Sequence, residues 1–150
     1  RLEVLKNEDI FDEKIASNMT KRTMVYDKMF KQAEELLKKS DGVILDATFV
    51  TQSLRRRAAA IAAKHHLTFI ILETKCPEQV ALRRILSRTK EYYQSNALTE
   101  EAYLNNKKRF EIVNLDNLKS LFTNLSIIHL VVDTRHDLPR DWYVIGVDKN

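Results

Sequence analysis

Three short apolar runs, at residues 43–47, 67–74 and 126–133, are separated by segments whose apolar residues recur at helical spacing. That alternation constrains the fold more tightly than any other feature of the chain. Successive strands joined through helices assemble into a parallel sheet with right-handed crossovers, so the expected class is α/β with a mainly parallel sheet. The second run is rich in β-branched and aromatic residues, which suit a pleated, packed surface. A fourth run, at 142–147, reads as a further strand able to pair at a sheet edge.

The helices carry their own punctuation. One is expected over 18–40, with Ser17 or Asn18 as cap and Gly42 where a C-terminal glycine belongs. Its apolar stripe comprises Met19, Met24, Val25, Met29, Phe30, Ala33, Leu36 and Leu37. Ser53 is placed to cap a second helix over 54–66. Pro77 opens a third that runs toward Tyr92, with Glu78 adding negative charge near its start. Residues 95–98 interrupt the pattern; Thr99 then caps a helix over 100–112, and a short helix occupies 115–121.

At 150 residues, with 44% hydrophobic and 31% charged side chains, the chain is expected to form one folded domain rather than a disordered segment. No apolar run approaches the roughly 18–20 residues that span a bilayer, and the first ten residues hold no signal-peptide core. The single cysteine, Cys76, excludes an internal disulfide framework and fits a reducing cytoplasm, so the expectation is a cytoplasmic protein with no membrane partner. A net charge of +4 permits an anionic ligand without announcing nucleic acid. Glycine is the unusual number: 2 residues, Gly42 and Gly146, where average usage gives roughly ten. Neither GxGxxG nor GxxxxGK[ST] can be written with them, so these 150 residues hold no glycine-rich phosphate cradle.

The residues able to carry chemistry cluster where strands end. Asp46 closes the first apolar run, and ligands of open α/β sheets bind at the carboxyl edge of the strands. A carboxylate there can bind Mg2+ directly or through a water; equally, it can be a turn residue that hydrogen-bonds Thr48. Arg55, Arg56 and Arg57 begin the next helix, where cations oppose the dipole and need acidic neighbours or an anion; a solvated basic face is the plainer alternative. Arg84 and Arg88, spaced i, i+4, share a helix face that can grip phosphate oxygens, whereas Arg83 points elsewhere. Such pairs are also commonly just solvated. The histidines show no metal-ligand spacing, and Cys76 reads as a buried thiol. Tyr92 and Tyr93 suit base stacking or a lid or core role equally.

The order of these signals is more specific than any one of them. VILDATF, a basic helix start, a strand, CPEQVALRRILSR and then SNALTEEAYLNNKKRFE resemble the C-terminal part of the kinase-like P-loop ATPases of the AAA type, close to polynucleotide kinases and zeta-toxin kinases. Asp46, Ala47 and Thr48 match that family's DAT element, Arg55 its following arginine, and Pro77, Glu78, Arg84 and Arg88 its lid-region helix. Ser95, Asn96 and Ala97 match a Ser-Asp-Ala motif, with asparagine in place of aspartate. Tyr103, Phe110 and Glu111 match its last element, and Tyr26, Gly42 and residues 131–134 also align. The resemblance spans roughly residues 17–134 and implies a three-layer P-loop NTPase-like fold. It implies ATP and Mg2+ as cofactors, held by a phosphate loop on a first strand upstream of everything seen here. The chain is accordingly expected to be a single, N-terminally incomplete domain that lacks its first strand or strands.

In such sheets the phosphate-loop strand lies at the centre. Without it the strands at 43–47 and 67–74 would flank a gap about 10 Å wide, two strand spacings. Each buried backbone group left unpaired there would cost roughly 1–3 kcal/mol. The resemblance thus implies an ATP-dependent phosphotransferase whose partners are a nucleotide and a phosphate-accepting hydroxyl, on a nucleic-acid end or a small molecule. In it Asp46 positions Mg2+, Arg84 and Arg88 neutralise the transferring group, and Thr48 and Arg55 contact substrate or phosphate. The alternative is a non-catalytic α/β interaction module derived from such a kinase. A nucleic-acid-binding domain is a third reading.

Overall fold

The computed structural model describes residues 19–87 and 99–149. Its elements, in chain order, are α1 (Met19–Leu37), α2 (Gln52–Lys64), β1 (Phe69–Lys75), α3 (Glu78–Leu86), α4 (Glu100–Arg109), α5 (Leu115–Leu121), β2 (Ile127–Asp133), a 3-10 turn (Pro139–Asp141) and β3 (Tyr143–Lys149). They group into two compact units. One holds α1, the segment that follows it to Val50, the end of α3 from Ile85, and α4; the other holds α2, β1, α3 to Arg84, α5, β2 and β3.

The second unit is an α/β structure. β1 and β2 pair in parallel, from Phe69↔Ile127 to Lys75↔Asp133, and β3 adds antiparallel to β2 with a register shift between Val131 and Val132. The sheet order is β1-β2-β3, so the mixed sheet keeps a parallel core and takes the last run as its antiparallel edge. Ala59 and Ala62 of α2 and Leu115 and Leu118 of α5 pack with Leu125 and Ile127, and Phe69 and Ile71 close the same core. Small alanines on α2 let it lie close on the sheet, while Leu118 and Ile127 fill the centre and are fully buried.

In the first unit, α1 buries Tyr26, Phe30 and Ala33, spaced four and three residues apart. The aromatic rings of Tyr26, Phe30 and Phe49 form a triangle with centroids 5.6–6.2 Å apart. The expected stripe was too broad: Met24 and Leu36 are exposed, because they sit off the arc that Tyr26, Phe30 and Ala33 define.

Two expectations are corrected. Residues 43–47 form no strand, and Ile44 is 97% exposed. An apolar run becomes a strand only when a neighbour completes its backbone hydrogen bonds, and β1 pairs with β2 alone among the described residues. The second helix begins at Gln52, capped by Thr51 rather than Ser53; Thr51 Oγ1 accepts the Leu54 N–H at 3.3 Å. Thr99 does cap α4, accepting the Ala102 N–H at 3.1 Å, with Glu100 and Glu101 in the first turn and Lys107, Lys108 and Arg109 in the last, as the dipole favours.

α2 ends in a Schellman arrangement. The Leu67 N–H donates to the Ala62 carbonyl at 2.9 Å and the His66 N–H to that of Ala63 at 3.2 Å. His66 therefore takes a φ of 55°, a left-handed conformation that costs an L-residue roughly 1–2 kcal/mol. His66→Gly is expected to raise stability by about 1 kcal/mol, read as a higher urea midpoint at unchanged slope; an unchanged midpoint would show that the histidine side chain offsets the strain.

Candidate active site

Asp46 lies in the first unit on the segment without regular structure. It is exposed and makes no hydrogen bond or ion pair with a described residue. The turn just after it is held from α1. The Tyr26 hydroxyl accepts the Phe49 N–H at 3.1 Å and lies 3.5 Å from Thr48 Oγ1. Phe49 adopts a φ of 42°, so this anchor and the aromatic packing hold a strained residue in place. Tyr26 thus fixes the backbone three residues beyond Asp46, with the Thr48 hydroxyl beside it. Its helical position and its place in the matched pattern were visible in the sequence; its hydroxyl's target was not.

Arg55 lies in the second unit, on the second turn of α2, and is only 3% exposed. Its Nη2 donates to the Glu111 carbonyl at 2.6 Å and its Nη1 to Gln52 Oε1 at 3.1 Å. Glu111 Oε2 in turn accepts the Gln52 N–H at 2.5 Å, satisfying an amide of the α2 N-terminus. Gln52 Nε2 donates to the Asn114 carbonyl at 2.7 Å, and Arg56 Nε donates to Asn117 Oδ1 at 2.6 Å. Burial pushes the Arg55 guanidinium below its ordinary range, opposed by the Glu111 and Glu73 carboxylates. The acidic neighbour that the basic helix start required is therefore Glu111, and the hydrogen bonds from Arg55 to Gln52 and to the Glu111 carbonyl point inward.

Arg84 is part of another cluster in the same unit. Its Nε and Nη2 donate to Asp137 Oδ1 at 3.3 and 3.2 Å, and Nη2 also donates to the His136 carbonyl at 2.6 Å. Arg83 was expected to point away, yet its Nη2 donates to both Asp137 oxygens at 3.0 Å. Consecutive helical residues diverge by about 100°, but long guanidinium arms still converge on one carboxylate. Arg88, the expected partner of Arg84, lies outside the described residues, as do Tyr92, Tyr93, Ser95, Asn96 and Ala97. Asp46 and Thr48 belong to the first unit, Arg55 and Arg84 to the second. Cys76 is half-buried. An open cleft of about 430 Å3 in the second unit, lined by residues including Asn114, Asp116, His129 and Asp148, includes none of the expected site residues.

At the end of β2, Asp133 is buried and clamped. Its carboxylate accepts Arg135 Nε at 2.8 Å, Nη2 at 2.5 Å and the Arg135 N–H at 2.9 Å, with Tyr143 Oη at 3.4 Å. The Arg135 hydrogen bonds hold this carboxyl below the usual range, against a smaller opposing effect of burial. A lowered native pKa means that the unfolded state binds the proton more readily. The resulting stability is complete above the unfolded value, about 3.9 for aspartate, and is lost as pH falls through the lower native value. Thermal melts of Asp133→Asn are expected to show a shallower loss of Tm over that acid window than the wild type; identical slopes would dismiss the clamp.

The sequence model of the AAA domain matches residues 3–113, well over half of the chain. The chain belongs to the AAA-domain family. No curated protein and no solved structure matches it. The AAA-domain assignment makes this a P-loop NTPase-like chain, and members of that family generally bind nucleotide with Mg2+. Mg2+ is commonly bound through one or two carboxylates together with substrate phosphates. Among the described residues no group of three or more His, Cys, Asp or Glu could hold a metal alone. Asp46 is a carboxylate of the type that such a site asks of the protein, exposed like Asp41. No described helix of this AAA-domain chain is long and apolar enough to cross a membrane.

Proposed function

We propose that the protein is an ATP-dependent phosphotransferase of the P-loop kinase type, acting on a hydroxyl of a nucleic-acid end or a small molecule. One observation carries this reading: in an AAA-domain chain, Arg83 and Arg84 already grip an anionic group in the loop that follows β2. That loop leaves the carboxyl edge of a parallel strand pair, where ligands of α/β sheets bind. In phosphoryl transfer the protein mainly positions reactants and neutralises charge on the equatorial oxygens, which is guanidinium chemistry. The Arg84 side chain would stabilise that charge, joined by Arg88. Asp46 would hold Mg2+ directly or through water, and the bound ion would screen the phosphates. Thr48 would add a hydroxyl beside it. Arg55, buried against Glu111, would keep the start of α2 in place, with any contact to substrate secondary.

The proposal requires a glycine-rich phosphate loop from residues beyond these 150. It is tested in the intact protein by measuring Mg2+-dependent ATP binding and transfer of the γ-phosphoryl group to a 5′-hydroxyl oligonucleotide or a small polyol. Transfer to either acceptor supports the reading and selects the substrate class; no Mg2+-dependent ATP binding would end it.

A non-catalytic interaction module is the second reading. It is favoured by the sheet face opposite α2 and α5, where Ile70 and Leu72 of β1 and Val144 and Val147 of β3 stand exposed beside Leu130. Absence of ATP binding together with intact folding would select it.

A further inference from the structure

We infer that Asp137 is a built-in occupant of an oxyanion subsite formed by Arg83 and Arg84, displaced when a phosphoryl group arrives. The inference rests on the phosphotransferase reading for its purpose, but on its own geometry for its existence. One carboxylate receives four N–H contacts of 3.0–3.3 Å from two adjacent guanidiniums. That is how a phosphate with several equivalent oxygens is held. With Asp137 seated, Arg83 Nη2 is shared between its two oxygens and Arg84 is divided between its Oδ1 and the His136 carbonyl.

The carboxylate is placed there by its loop. Upstream, the Thr134 N–H and hydroxyl donate to the Lys75 carbonyl at 2.7 and 3.1 Å, pinning the loop's start to the end of β1. Downstream, Trp142 Nε1 donates to the His136 carbonyl at 2.8 Å, and the 3-10 turn Pro139–Asp141 shortens the return. Asp137 sits between these fixed points, 66% exposed at its side chain, so it can leave without disturbing the core. Ion pairs open to solvent on one side are weak. A dianionic phosphoryl group can therefore outcompete a carboxylate here, while the carboxylate still lowers occupancy by weaker anions.

The test is a titration of the intact protein with inorganic pyrophosphate, followed through the side-chain Nε–H signals of Arg83 and Arg84. Asp137→Asn is expected to tighten pyrophosphate binding about fivefold, equivalent to about 1 kcal/mol at 1.4 kcal/mol per tenfold change. Adding Arg83→Ala to that variant is expected to remove the gain, and rising salt to weaken binding in both. Equal affinity in the wild type and Asp137→Asn, with a lowered Tm in the variant, would overturn the inference and leave Asp137 as a tether for α3. The two readings fail separately. Tighter pyrophosphate binding in Asp137→Asn, with no Mg2+-dependent ATP binding by the intact protein, keeps the subsite and removes the phosphotransferase reading. Lost transfer in Arg84→Ala with no effect of Asp137→Asn does the reverse.

Discussion

Arg84→Ala is expected to lower phosphoryl transfer by the intact protein on the order of 10³-fold, with little change in ATP affinity. A guanidinium whose contact strengthens as charge develops on the transferring group contributes more to the rate than to ground-state binding. A loss of that size is about 4 kcal/mol of activation free energy. The fold should tolerate the change: the Arg84 side chain is 27% exposed and that of Asp137 66%, so the pair is solvent-screened on one side and is worth about 1 kcal/mol. A Tm lowered by only roughly 2–4 °C with collapsed kcat is therefore the expected signature. Arg84→Lys should recover only part of the rate, since an ammonium lacks the planar fork. Wild-type transfer in Arg84→Ala would remove this residue from the chemistry and move the lid role to Arg88 alone.

Arg55→Ala is expected to act on the fold. It removes two charge-assisted hydrogen bonds from a buried node and leaves the Glu111 carbonyl without the Arg55 donor, while Gln52 Oε1 keeps only the Asn114 N–H at 3.3 Å. The net cost should be about 3 kcal/mol. At roughly 2–4 °C per kcal/mol for a chain of this size, Tm would fall by roughly 6–12 °C. Arg55→Lys should rescue poorly, because one ammonium cannot span both acceptors. A double-mutant cycle with Gln52→Ala should give a clear coupling energy, as the pair shares one network. If Tm is unchanged and substrate affinity drops instead, Arg55 is a ligand contact, as its place in the family pattern first suggested.

These two arginines show how far local reasoning reaches. Both were picked out from the sequence, one by its position after an apolar run ending in aspartate, the other by its spacing on a helix opened by Pro77 and Glu78. Their partners were not. The contact from Arg55 to Glu111 crosses 56 residues and those from Arg84 to Asp137 cross 53, and no rule of neighbouring residues anticipates either. The same limit explains the segment at 43–47. Its composition satisfies a buried strand, but the ladder that would make it one depends on a neighbouring strand.

The sequence by itself determined the α/β class, the runs that become β1, β2 and β3, the cap at Thr99, the dipole-matched charges of α4 and the lack of a glycine-rich loop in these 150 residues. Each follows from interactions within three or four positions along the chain, or from composition alone. Tertiary structure decided which carboxylate balances the basic start of α2, that Arg83 joins Arg84 on Asp137, and that the first apolar run stays unpaired. Those outcomes depend on groups far apart in sequence becoming neighbours, which chain folding arranges and local periodicity does not encode.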